Sequence, residues 1–98
     1  MELLNETFEV ETKKSKEYTF VAQKGLSGMD VYAKVNPTET QLSPSGVSIE
    51  VTKKGKIVRE IQLKNVAFAI GNAEGTYKVI IKNKNPLTVT GTVRVVTV

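Results

Sequence analysis

The groups able to move a proton or hold an ion are twelve lysines, two arginines, nine glutamates, the single aspartate Asp30 and three tyrosines; the chain has no cysteine and no histidine. That inventory removes the thiolate nucleophile, the imidazole base, the disulfide and every zinc site built on Cys and His. Carboxylates and positive charge are left. Asp30, in Gly28-Met29-Asp30-Val31, offers one oxygen ligand where calcium wants several carboxylates, so a turn or strand-edge role is expected for it. Glu9 and Glu11 share one face of an extended segment, but no other group converges on them as a paired-carboxylate site would require. Gly25-Leu26-Ser27-Gly28 misses the Gly-x-Ser-x-Gly elbow, and no glycine-rich phosphate loop occurs. The expectation is a non-enzyme with no catalytic residue, cofactor or metal.

Positive charge is the remaining candidate. The net charge of +4 is unevenly spread, with −2 over residues 1–49 and +6 over residues 50–98. Lys53, Lys54, Lys56 and Arg59 surround one glycine-containing turn, and Lys78, Lys82 and Lys84 run along a later segment and its turn. If the two groups lie on one side their fields add and steer an acidic protein partner. These seven are the candidate partner-binding residues. Nucleic acid is disfavoured despite the sequence pI of about 9.4, because single-strand binders interleave charge with exposed rings. Tyr18, Phe20, Phe68 and Tyr77 fall on the apolar phase of their segments, and only Tyr32 falls on the polar one. Binding by charge alone is steeply salt-dependent and blind to sequence.

The elements that position these residues alternate with period two. Tyr18, Phe20 and Ala22 take one side of their segment, as do Met29, Val31, Ala33 and Val35, then Val47, Ile49 and Val51, then Tyr77, Val79 and Ile81. Such alternation gives a strand with one buried face. The window from Ile57 to Ile70 is rich in β-branched residues and breaks at Lys64-Asn65, so it reads as two strands. Turns are expected at Lys53-Lys54-Gly55-Lys56, at Gly71 to Gly75 and at Asn83-Lys84-Asn85-Pro86, with a crossing loop from Asn36 to Ser45 carrying Pro37 and Pro44. The strands are placed near 6–11, 17–23, 29–35, 47–52, 56–63, 66–70, 76–83 and 87–97.

With 98 residues, 40% hydrophobic and 24% charged, the chain supports one core and so one domain over 1–98. The expected fold is all-β, an antiparallel two-sheet β-sandwich of jelly-roll or Ig-like type with about 7–8 strands. Tyr77, Val79, Phe68, Phe20, Ile49 and Val51 are expected to share its core. No apolar run is long enough for a bilayer, so this segment is not expected to insert in a membrane. The N-terminus lacks the basic and apolar regions of a signal peptide. Asn5-Glu6-Thr7 has the pattern of an N-glycosylation acceptor.

The second half carries an ordered set of features: Gly46 to Val51, the Lys53-Lys54-Gly55-Lys56 turn, Val66-Ala67-Phe68-Ala69-Ile70, then Gly75-Thr76-Tyr77 leading to Asn83 and a Val-rich last strand. In this order it resembles the GOLD (Golgi dynamics) domain. It is also similar to the bacterial pre-peptidase C-terminal domain, with Tyr18-Thr19-Phe20, Asp30-Val31-Tyr32 and Gly75-Thr76-Tyr77 in comparable places. Both resemblances imply a β-sandwich that makes protein contacts or serves as an accessory to a larger chain. The cysteine pair, membrane helix and coiled coil of GOLD-containing cargo receptors are absent from this sequence, so a receptor role is not implied. The expected function is a non-enzymatic, protein-interacting module of an extracytoplasmic or membrane-associated system. Carbohydrate binding on an aromatic sheet face and a structural role in a surface layer or virion are the alternatives.

Overall fold

Alternating side chains settle into eight strands: β1 (Glu2–Val10), β2 (Ser15–Ala22), β3 (Gly28–Val35), β4 (Val47–Lys53), β5 (Lys56–Gln62), β6 (Asn65–Gly71), β7 (Gly75–Asn83) and β8 (Val89–Thr97). The computed structural model describes residues 1–25, 28–37, 46–71 and 74–97. Most of the expected crossing loop, the centre of the Gly71 to Gly75 turn and Ser27 lie outside the described residues. Among the described residues no helix is long and apolar enough to cross a membrane.

Two four-stranded antiparallel sheets result, one ordered β1-β8-β3-β6 and the other β2-β7-β4-β5. The expected β-sandwich is therefore present, and the strand order makes it a jelly roll rather than Ig-like. Partners β1 with β8, β2 with β7, β3 with β6 and β4 with β5 describe one long hairpin rolled up on itself, with its tip at Lys54-Gly55. That tip is tight. Lys54 and Gly55 both have positive φ, 52° and 77°, as a two-residue turn matched to strand twist requires.

Inward residues of both sheets form a single core. Phe8, Met29, Val31, Val93 and Val95 from the first sheet face Ile49, Val51, Tyr77, Val79 and Ile81 from the second, all buried. Tyr77 stacks on Phe20 with centroids 5.2 Å apart and planes within 7°, and all six residues expected to share the core are in it. Tyr18 differs from expectation: it is half-buried at the side where β1 and β2 meet, and its hydroxyl donates to the Thr7 carbonyl at 3.4 Å. Asn83 bonds its own turn, as its type suggests. Its side chain is buried, donates to the carbonyls of Val10 and Leu87 at 2.9 Å each, and accepts from the Asn85 amide at 2.8 Å.

Candidate functional site

The seven basic residues do not form one patch. Register places Lys53 opposite Tyr77 and Lys78 opposite Thr52, near the hairpin tip, whereas Lys82 pairs with Ser48 towards the far end of β7. Lys78 and Lys82 are separated by four residues of extended chain, roughly 13 Å, which exceeds the screening length of about 8 Å at physiological salt. Their fields add only weakly.

At the hairpin end the residues divide again. Lys53 and Arg59 lie on the inward phase of their strands and spread over aromatic rings at the rim of the core. The Lys53 ammonium is 5.4 Å from the centroid of Tyr77, and the Arg59 guanidinium carbon 5.4 Å from that of Phe68. Because Phe68 belongs to β6 of the other sheet, Arg59 closes the open side of the sandwich. These two cations are occupied in cation–π contacts. Lys54, Gly55, Thr52, Thr76 and Lys78 surround an outward hollow of about 260 Å³. Beside it, Ile57 and Val58 stand 59% and 42% exposed on β5. A shift in register between Val51 and Thr52 of β4 puts an extra residue into β5 at this point. Among the described residues β5 is the last strand of its sheet and keeps one row of main-chain donors and acceptors unpaired by a neighbouring strand.

Midway along the outer face of this sheet runs an acidic row. Glu50 lies directly opposite Glu60, a like-charge pairing that would oppose the sheet. Lys82 resolves it, its ammonium 2.7 Å from Glu50. That hydrogen bond, against partial desolvation, holds the Glu50 carboxyl below the usual carboxylate range and the Lys82 ammonium above its own. A folded-state pKa below the unfolded one adds stability above the unfolded pKa, and the contribution disappears as pH falls through the folded value. Lys82→Met is therefore expected to destabilise most above the unfolded carboxyl pKa, near about pH 7, and progressively less as pH falls through the depressed folded pKa of Glu50. Urea denaturation across that range checks it; a penalty independent of pH would deny the pairing its role.

At the far end, Lys84 and Lys82 meet Lys13 and Lys14 of the β1–β2 turn around a cleft of about 390 Å³. Lys13 and Lys14 belong to the net-negative first half of the chain, where charge alone does not single them out. The signal that joins them to Lys84 is the antiparallel β2–β7 register, Ser15 opposite Lys82, which a single sequence does not display. Asp30 lies on β3 opposite Val96 and Ala69. No group of three or more His, Cys, Asp or Glu converges among the described residues.

No protein-family model matches the chain, and no curated protein is similar to it at a significant level. Solved structures do align over almost its whole length. The pre-peptidase C-terminal domain of a Bacillus anthracis collagenase covers 95% of this chain and 90% of its own at 13% identity, with a TM-score of 0.67. PliG, a periplasmic inhibitor of g-type lysozyme from Aeromonas hydrophila, covers 99% and 87% at 12% identity, TM-score 0.66. The Yersinia pseudotuberculosis-derived mitogen covers 95% and 83% at 12% identity, TM-score 0.65. What is shared is the fold. The resemblance to pre-peptidase C-terminal domains thus holds for architecture, and these neighbours are small β-sandwich proteins or domains whose functions differ.

Proposed function

We propose that the chain is a non-enzymatic, extracytoplasmic protein-binding module that takes an acidic partner at the β4–β5 hairpin. The observation that carries this is the exposure of Ile57 and Val58 on an edge strand, next to Lys54, Lys56 and Lys78. Apolar side chains supply the buried centre of an interface and the lysines its charged rim. The free edge of β5 adds main-chain hydrogen bonds if the partner pairs as a further strand. A periplasmic inhibitor of g-type lysozyme and a pre-peptidase C-terminal domain of a collagenase share this architecture, which supports the class of work, and the first of them the compartment, by analogy of fold. The GOLD resemblance rests on the sequence features alone.

Charge reversal at Lys54→Glu with Lys56→Glu should leave the fold intact, since neither side chain is in the core. It should remove partner capture in a pull-down from the native source, and Ile57→Ser should weaken the same capture. Recovery of identical partners by wild type and the double reversal would sink the hairpin as the contact.

Carbohydrate binding has one observation in its favour. Tyr32 is 43% exposed at a depression of about 380 Å³ on the outer face of the other sheet, beside Asn5, Asn65 and Arg94. Tyr32 is the one ring lining that depression, so the face offers a single stacking platform, and the protein-binding reading is preferred.

A further inference from the structure

We infer that the cleft between the β1–β2 turn and the far end of β7 binds a compact anion carrying two or more phosphate-class groups, phosphoryl or sulfuryl. It is a second site, independent of the hairpin. Its volume of about 390 Å³ lies in the range of small-molecule sites. Four lysines line it, Lys13, Lys14, Lys82 and Lys84, together with Ser15 and Asn83. Lys82 is matched by Glu50. Lys13, Lys14 and Lys84 have no ion pair among the described residues. Like charges gathered around one concave wall repel, and an anion between them converts that repulsion into attraction.

The wall is built rather than draped. The Lys13 amide donates to the Asn83 carbonyl at 2.8 Å, and the Asn83 amide donates to the Lys14 carbonyl at 3.0 Å. The buried Asn83 side chain ties the same place to Val10 and Leu87. Lys13 itself has φ of 62°, a left-handed conformation that glycine or asparagine adopts at lower cost. The sequence spends that strain on a cation, and strained positions gather at binding sites.

The donor set selects the ligand. Lysine is a compact point charge with three divergent donors and suits a tetrahedral oxyanion; a planar carboxylate is best held by the fork of arginine, and no arginine lines the cleft. Ser15 adds a hydroxyl donor.

Calorimetric titration of the domain at low ionic strength, with inorganic tripolyphosphate and separately with a trisulfated heparin disaccharide, tests the site. The expected result is a single-site isotherm with tripolyphosphate, weakened about tenfold or more in Lys13→Ser with Lys84→Ser and falling steeply with salt. Lys14→Gln, which keeps the Lys14 main-chain bond, should weaken it several-fold and guards against a folding defect in the double variant. The Lys54→Glu with Lys56→Glu domain should bind as wild type. Tighter binding of the disaccharide with the same dependence on Lys13 and Lys84 supports the site and assigns the natural group to sulfate esters. Equal weakening by the cleft and hairpin variants, or no single-site binding of either probe, overturns the inference.

Discussion

Phe68→Ala is expected to destabilise the domain by about 3 to 5 kcal/mol. The ring projects inward from β6, opposite Val31 of β3, and is 8% exposed. It fills the β5–β6 side of the sandwich, opposite the β1–β2 corner, where Arg59 covers it. Alanine would also leave the Arg59 guanidinium without the face it covers, a further loss of about 0.5–1 kcal/mol at a rim position. Phe68→Leu should recover most of the first loss and none of the second. Equilibrium urea denaturation reads both; a loss for Phe68→Ala below about 1 kcal/mol would mean that the inward phase assigned to β6 is wrong.

Gly91→Ala should cost about 3 kcal/mol or more, the upper range for an overpacked core. Gly91 lies within β8 between Phe8 of β1 and Val35 of β3. A methyl group there would run into the Lys34 carbonyl oxygen and come within 2.5 Å of the Phe8 ring. A ring can turn aside. A carbonyl inside a sheet cannot, because its strand is held by neighbours on both sides. Phe8→Leu in the same chain should therefore relieve only part of the penalty. Thermal and urea unfolding of the three variants would separate the two obstacles, and full rescue by Phe8→Leu would assign the whole clash to the ring.

Residues 17–23, 29–35 and 76–83 were legible as strands because their side chains alternate without interruption. The start of β1 was not. Glu2-Leu3-Leu4 breaks the alternation, and the structure places a register shift there, between Glu2 and Leu4, so the pattern begins only at about residue 6. Strand phase also identified the shared core, since burial on one face is what period two encodes. Sheet order is a different kind of information. Nothing in the Val-rich run of β8 says that it lies between β1 and β3, and sequence reasoning left jelly-roll and Ig-like arrangements open for that reason. The candidate site suffered most. Seven cations could be picked out by composition, yet the place of each in the fold decides its neighbours: Lys78 on β7 joins the hairpin, while Lys84, just past the end of β7, joins two lysines some seventy residues earlier. Lys53 and Arg59 looked like free charge and prove to be covers for Tyr77 and Phe68, which depends on the inward phase of both strands.

The first and last strands are hydrogen-bonded neighbours whose outer ends meet: the Thr97 amide donates to the Met1 carbonyl at 2.8 Å, and the Met1 ammonium donates to the Thr97 hydroxyl at 3.0 Å. Tension between the two ends of the segment would act at the open mouth of the β1–β8 ladder, parting its rungs one after another as a zipper is drawn. Strands loaded from opposite ends share the strain across all their bonds at once; these do not. A pull on these two ends therefore meets the β1–β8 bonds singly, a load quite unlike the one that heat or urea applies.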